Sequence, residues 1–500
     1  MKIKQSYENI IFCVLTGVGA AVSFPKPGLF FLIWIAFTPL LTVLIKGRVK
    51  TSFFYALLSG FVFNAVGLYW LVAMLRFNTG SYVQAFAASC ALWMYLALFW
   101  GAWGLFVSIA KKRFSSVWVL AVFGASLWVL LEYARTYFLT GFPWMLIGYS
   151  QYKFAEIIQI AEFTGVYGAS FIIIFVNFLL SSWLMEAKSN KYVLAALGLI
   201  IALSVFGAWR LDKFKFFGDK EFSVSIIQPN IDQYKKWDDV YKEEILLTLE
   251  TLAAAASKQK NDLVIWPETV LPDSVPFGRH SYLAANKIAQ TTDALNIMGS
   301  SYSSGLGAIF NVSLAFSPRG NGYFAIHKKN HLVPFGEYVP FRKQLGAAFG
   351  VLNEMGDISK GGDAKVFKYK DIFAGSTICS ENFFPNISRR FVLNGAKVLT
   401  NHTNDAWFFD TAAPHQHFIM NVFRAVENRK AALVCANSGI SGIIEASGRI
   451  IVSTPSSEET FISGSFLQND FLSFYTLRGD VFVKICAVIT LLLFAVMLVI

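Results

Sequence analysis

Apolar and polar positions follow two different rules along this chain. At 8–24, 28–45, 52–75, 82–110, 115–137, 163–186, 192–209 and 481–500, apolar residues run on almost without interruption. Each run approaches the roughly 20 residues that a helix needs to cross a bilayer, so the pattern predicts about eight spans. Between 215 and 475 the runs become short and rich in β-branched residues, at 222–227, 263–266, 297–301, 313–316, 373–378, 397–400, 431–436 and 442–445. They alternate with stretches of helical period such as 240–258. That alternation predicts one compact α/β domain with a central sheet buried on at least one side.

A hydrophobic fraction of 55% and a mean hydropathy of +0.50 exclude an ordinary soluble enzyme and indicate an integral membrane protein. The net charge of +11 does not argue for a nucleic-acid partner, because the basic residues cluster in short loops between apolar runs. Lys2 and Lys4, then Lys46, Arg48 and Lys50, then Lys111, Lys112 and Arg113, then Lys188 and Lys191 fall on one side if the spans alternate. The positive-inside rule makes that side cytoplasmic. Seven spans before residue 214 then place the polar segment outside. Arg210, Lys213 and Lys215 sit on the wrong side for this scheme. The expected organisation is a transmembrane bundle over 1–214, an external catalytic domain over 215–475 and a final transmembrane helix over 476–500. The basic, apolar start resembles a signal peptide, but without a persuasive small-residue cleavage site it is read as an uncleaved first span.

Within 215–475, three fragments end an apolar run in a reactive side chain. Leu263 to Trp266 leads through Pro267 to Glu268, where apolar neighbours are expected to raise the carboxyl pKa and make it a competent base near neutral pH. The run from Lys329 through His331 to Glu337 places a lysine, a histidine and a carboxylate around a rigid Pro334-Phe335-Gly336 turn. The third run, Ser376 to Ile378, delivers Cys379 and then Ser380 and Glu381. A strand ending in a turn before a helix can lift a nucleophile clear of the backbone, and the turn's amides can help hold an oxyanion. The five cysteines, at 13, 90, 379, 435 and 486, show no paired or metal-like spacing, so neither a disulfide framework nor a metal site is expected. His402, His415 and His417 do not form a zinc spacing.

This ordered glutamate, lysine and cysteine set resembles the carbon-nitrogen hydrolase (nitrilase) superfamily, and the eight-span frame narrows the resemblance to its apolipoprotein N-acyltransferase family. The most specific pieces are Trp266-Pro267-Glu268-Thr269, the run from Lys329 to Pro340, and Asn404-Asp405-Ala406-Trp407-Phe408. The resemblance implies a nitrilase-like α-β-β-α sandwich, with Glu268 as general base, Lys329 as oxyanion-stabilising cation and Cys379 as nucleophile. It also implies supporting roles for Glu337 and Glu381, and a substrate-side position for Trp237; Trp407 is read as part of the site rim. The chain departs from the family pattern at Ser380, where tyrosine is common, and at Phe409, where glycine usually follows. No cofactor is expected. The implied partners are a phospholipid acyl donor, phosphatidylethanolamine by resemblance, and a diacylated lipoprotein acceptor. A monomer in a bacterial inner membrane is expected, with the catalytic domain on the periplasmic side.

Competing readings remain at this level. A membrane-tethered amidase would use the same residues without needing seven spans first; a transporter or binding scaffold would leave the reactive set unexplained and would carry more charge inside its spans. Leu345 to Leu352 reads as a lipid-facing flap or as a buried core loop, and the aromatic loop 140–151 as an interfacial belt or as a wall of a lipid access site. Glu132 and Arg135, three apart on the fifth span, are expected to pair. Asn437 to Gly439 reads as a turn near the pocket, and Cys435 as a packed core residue.

Overall fold

A computed structural model describes residues 2–185, 190–276, 278–344 and 356–499. It divides into two compact units, one made of Met1–Lys213, Thr411–Ile419 and Arg478–Ile500, the other of Phe214–Asp410 and Met420–Leu477. The flap candidate at 345–352 lies outside the described residues.

The first unit is helical. Among the described residues, six of its helices are long and apolar enough to cross a membrane: Val49–Gly67, Tyr82–Arg113, Val117–Thr140, Val166–Met185, Asn190–Lys213 and Val481–Val499. The first expected span is a helix of the right length, Lys2–Ala21, but its opening turns are polar. The second is broken into a 3-10 turn at Phe30–Leu32 and helices Ile33–Ala36 and Thr38–Lys46. Backbone groups freed inside an apolar bundle must find partners within the protein. Asn177 supplies them, its Oδ1 accepting from Phe37 N at 2.9 Å and its Nδ2 donating to Ile33 O at 2.9 Å. Thr16 Oγ1 accepts from Leu40 N at 3.1 Å beside the helix-opening Pro39.

Two charged features of the bundle differ from expectation. Glu132 and Arg135 attract each other electrostatically but make no direct hydrogen bond; each bonds instead the chain that folds back after the fifth span. Glu132 Oε1 accepts from Ile147 N at 2.7 Å, and Arg135 donates to Met145 O at 3.4 Å. Arg210, one of the basic residues on the wrong side, is buried against Glu162, with Nε donating to Oε2 at 3.0 Å. In the same unit Gln416 accepts from the indoles of Trp144 and Trp70, at 2.7 and 3.2 Å, and donates to Gly67 O and Pro25 O.

The second unit contains two sheets where the bare pattern of apolar runs predicts one, in agreement with the sandwich implied by the resemblance. The first sheet runs β13-β1-β2-β4-β5-β6, with β3 paired to β4; the second runs β12-β11-β10-β9-β8-β7. The strands are β1 Lys220–Gln228, β2 Leu263–Ile265, β3 Ser274–Val275, β4 Leu295–Ser303, β5 Ile309–Phe316, β6 Tyr323–Lys328, β7 Val366–Tyr369, β8 Ile372–Ile378, β9 Val398–Thr403, β10 Ala431–Ala436, β11 Gly442–Ile444, β12 Ile450–Ser453 and β13 Thr460–Gln468. Each sheet has a parallel centre, β1-β2-β4 or β8-β9-β10, with antiparallel strands outside it.

Alternation of side chains explains the layering. Val224, Ile226, Leu263, Ile265 and Ile297 of the first sheet pack with Ala374, Val398, Leu433 and Cys435 of the second in one buried cluster. The opposite face of the first sheet, with Val264, Met298 and Leu314, is covered by helices Lys242–Ala256 and Arg279–Thr292. Helix Pro385–Leu393 covers Leu399 on the far side of the second sheet. Parallel strands buried on both faces read as continuous apolar runs, which is why β2, β8 and β10 are so legible. Three polar contacts pin the sheets together. Cys435 Sγ donates to Ile227 O at 3.1 Å, Ser376 Oγ donates to Ser313 Oγ at 2.8 Å, and His402 Nδ1 lies 2.7 Å from Trp266 O.

Candidate active site

The base candidate and the cysteine each follow the C-terminal end of a central parallel strand. Beyond β2, Trp266 N bonds to Ile297 O at 2.9 Å and its indole donates to Asn296 Oδ1 at 2.8 Å, so the next residues turn at a fixed point. Glu268 follows, 8% exposed. The turn presses against β4, where a Cβ on Gly299 would lie 2.3 Å from Pro267 O and 2.6 Å from Glu268 Cα. Glycine is required there for space alone.

Around the Glu268 carboxylate the donors converge. Asn311 Nδ2 donates to Oε1 at 2.7 Å and Asn404 N donates to Oε2 at 3.0 Å. Lys329, 1% exposed at the end of β6, reaches Oε1 at 3.4 Å and Glu337 Oε1 at 3.0 Å. Asn311 Nδ2 also donates to Glu337 Oε1 at 3.1 Å, which closes a four-membered polar cluster. Burial acts to lower the Lys329 pKa, but the carboxylates of Glu337 and Glu268 outweigh it and hold the ammonium charged above the usual lysine range. Glu337 is held in turn by Val333 N, which donates to its Oε2 at 2.8 Å within the Pro334-Phe335-Gly336 turn.

Cys379 begins a 3-10 turn directly after β8 with a left-handed φ of 51°. Few non-glycine residues adopt such a backbone, and they concentrate at functional sites. The turn is set from below by Glu381, fully buried, whose Oε2 accepts from Ile378 N at 2.8 Å and whose Oε1 accepts from Asn330 N at 2.6 Å. One carboxylate thus ties the strand that leads to Cys379 to the residue after Lys329. Burial acts to raise the Glu381 pKa; the nearby His327 ring and the backbone donors overcome it and hold the group below its ordinary value. Burial also pushes the Cys379 thiol well above the usual cysteine range, Glu268 adds to the rise, and the Lys329 charge opposes it. Thr403 Oγ donates to the thiol at 3.5 Å, and Asn401 Nδ2 donates to Cys379 O at 3.2 Å.

Glu268, Lys329, Glu337, Cys379 and Glu381 therefore occupy one neighbourhood. Trp237 is half exposed and stands next to Lys236, whose Nζ donates to Glu268 O at 3.2 Å. Trp407 lies on the 3-10 turn Asp405–Phe408, three residues beyond Asn404. Phe409, at φ 52° and ψ −165°, occupies backbone space that is nearly exclusive to glycine, which gives the family preference there a physical cause. The Ser380 hydroxyl is buried without a hydrogen-bond partner among the described residues. Asn437, placed in a turn near the pocket, binds both Ile231 O and Asn404 Oδ1, at 2.8 and 3.1 Å.

The sequence reading overlooked Asn311, Thr403 and Lys236. An asparagine between Phe310 and Val312, inside the mostly apolar β5, was the available signal for the first. His402 is structural: its ring bonds Trp266 O and Thr400 Oγ1, and burial pushes its pKa down to about 4. His417 packs with Trp144 at 6.0 Å between ring centroids, in the other unit.

Comparison with known proteins agrees with this architecture. Residues 16–179 match the family model of the apolipoprotein N-acyltransferase N-terminal domain, and 223–468 match that of carbon-nitrogen hydrolase. Apolipoprotein N-acyltransferase of Geobacter metallireducens is 34% identical over 96% of this chain and 93% of its own length. The protein of the same name from Rickettsia prowazekii is 32% identical over 92% of each chain. Among solved structures, Saccharomyces cerevisiae Nit3, a member of branch 10 of the nitrilase superfamily, aligns at a TM-score of 0.39 and 18% identity, over 53% of this chain and 95% of its own. With both of its parts matched in order and relatives above 30% identity along nearly its whole length, the chain belongs to the apolipoprotein N-acyltransferase family.

Proposed function

We propose that this membrane protein transfers an acyl chain from a phospholipid to the α-amino group of a diacylglyceryl-cysteine at the N-terminus of a lipoprotein, through a thioester on Cys379. The observation that carries the mechanism is the buried cluster of Lys329 between the carboxylates of Glu268 and Glu337, in the same neighbourhood as a thiol whose pKa is raised. A thiol that stays protonated near neutral pH needs a base, and of the two carboxylates that act on it electrostatically Glu268 acts more strongly than Asp405.

In the first half-reaction Glu268 takes the thiol proton as sulfur attacks the ester carbonyl. The carbonyl oxygen becomes an oxyanion held by Lys329 and a backbone amide of the Cys379 turn, contacts worth about 3–4 kcal/mol per donor. Collapse breaks the ester C–O bond, and the proton on Glu268 passes to the departing lysophospholipid alcohol. In the second half, the lipoprotein amine attacks the thioester, Glu268 accepts its proton, the C–S bond breaks, and the proton on Glu268 passes to the departing sulfur to restore the thiol. Glu337 keeps the site balanced, because while Glu268 carries the proton the Lys329 ammonium still has one carboxylate partner. We read phosphatidylethanolamine as the donor, a monomer as the working form, and 1–214, 215–475 and 476–500 as bundle, catalytic domain and final helix. We also read the bacterial inner membrane as the location, with the catalytic domain periplasmic. Basic loops on one side of the spans support that orientation.

The test is intact mass of the full chain in detergent with a diacyl phospholipid and no amine. One acyl chain should appear on Cys379 and be released by a diacylated lipopeptide; Cys379→Ala should form no adduct and turn nothing over. Undiminished transfer by Cys379→Ala would overturn the covalent route, and turnover of small amides without an acyl adduct would favour a tethered amidase.

A further inference from the structure

Lys236 is 1% exposed although it lies in a surface loop whose neighbours Tyr234 and Trp237 are 74% and 51% exposed. A buried ammonium is costly unless its donors are used, and this one is aimed at the main chain of the base. Its Nζ donates to Glu268 O at 3.2 Å and to Thr269 Oγ1 at 2.8 Å. Thr269 has a left-handed φ of 43°, a strained conformation that persists only where the surroundings enforce it. The carboxylate of Glu268 is oriented by Asn311, Asn404 and Lys329, but none of these bonds its main chain through a side chain. Lys236 does so, while β4 presses on the same turn through Gly299.

The loop that carries Lys236 is itself anchored to the site. Asn437 brackets Ile231, accepting from its N at 3.0 Å and donating to its O at 2.8 Å. Gln233 Oε1 accepts from Asn404 Nδ2 at 2.8 Å, and Asn404 is the residue whose backbone amide reaches the Glu268 carboxylate. The Trp237 loop and the base turn are thereby joined at both ends of Glu268. Burial pushes the Lys236 pKa down to about 8, with the Glu268 charge opposing, so the group is still mainly an ammonium near neutral pH.

We propose that Lys236 is a positioning residue for the reaction: it locks the strained Glu268–Thr269 peptide and so fixes the direction of the Glu268 carboxylate. The inference rests on Glu268 acting as the base in the proposed acyl transfer. It predicts an effect on the chemical step, not on lipid binding, because the ammonium holds the geometry of a group whose work is done in the transition state.

The experiment uses the full chain in detergent with a diacyl phospholipid and follows acyl-enzyme formation by mass. Lys236→Met keeps most of the apolar stem and removes the donors; misplacing a catalytic group by about 1 Å costs about 100-fold, so kcat should fall by about that factor with KM unchanged. In a Glu268→Gln background, whose residual acylation is followed at long times, adding Lys236→Met should cost nothing further, since effects routed through one residue are not additive. Thr269→Val removes one acceptor with little change of shape and should slow acylation several-fold, again only where Glu268 is present; this pair decides the matter if Lys236→Met does not fold. A wild-type rate for Lys236→Met, or equal losses in both backgrounds, would overturn the positioning role. Failure of the reading beneath it looks different: the unsubstituted chain would then form no adduct on Cys379.

Discussion

Gly299→Ala tests how tightly the fold holds Glu268, the proposed base. Gly299 lies within β4, and its backbone is acceptable to any residue, so only space is at issue. An alanine Cβ would stand 2.3 Å from Pro267 O, 2.5 Å from Thr269 N and 2.6 Å from Glu268 Cα, whereas ordinary contact begins near 3.4 Å. Every one of those atoms is backbone, so no side chain can swing aside, and the turn or the strand must move by about 1 Å. A core that is overpacked loses about 1–3 kcal/mol, which leaves a protein of this size folded. Misplacement of a catalytic group on that scale costs about 100-fold in rate. The expected outcome is therefore a modest drop in melting temperature with acyl-enzyme formation slowed by about two orders of magnitude. Alkylation of Cys379 by iodoacetamide at high pH, where no base is needed, should stay near the wild-type rate and show that the strand leading to Cys379 is intact. Acylation within threefold of wild type would refute the reasoning, because it would mean that the Glu268 turn can move without consequence.

Three further outcomes follow from the same geometry. Glu381→Gln replaces one of two acceptor oxygens by an NH2 group facing backbone donors, at Ile378 N or at Asn330 N; we expect a loss of about 2 kcal/mol in thermal unfolding together with slowed acylation, and an unchanged melting temperature would refute the tie between the two strands. A raised Cys379 pKa favours the protonated thiol, so thiolate increases with pH; alkylation of the resting protein should be slow at neutral pH and climb about tenfold per pH unit above it, whereas a rate that is flat from pH 6 to 8 would show a preformed thiolate. Phe409→Gly removes backbone strain of about 1 kcal/mol or more from a ring that is 43% exposed, and should raise the melting temperature; a lowered one would mean that the ring's contacts outweigh the strain.

The membrane character, the presence of an α/β domain and the identities of Glu268, Lys329 and Cys379 as candidates were legible in the chain because each depends on local pattern. A strand buried on both faces must be apolar throughout, as in β2, β8 and β10, and a reactive residue that ends such a run stands out. Strands β3, β6, β7, β12 and β13 escaped notice because they pair at or near the sheet edges and keep polar or half-exposed positions, so their pattern resembles that of loops. The break of the second span at Phe37 was equally hidden, since the residue that makes it tolerable, Asn177, lies 140 positions away.

By itself, then, the sequence determined which segments are apolar enough for a bilayer, which strands lie at the centres of the sheets, and which side chains can do acyl-transfer chemistry. These follow from composition and period, which act over a few turns of chain. Only the tertiary structure decided that Lys329 is shared by Glu268 and Glu337, that Arg135 and Glu132 bond the returning chain, and that a buried Lys236 grips the main chain at Glu268 and Thr269. Each of those depends on which distant groups compete for the same donor or the same space, and that competition exists only once the chain has folded.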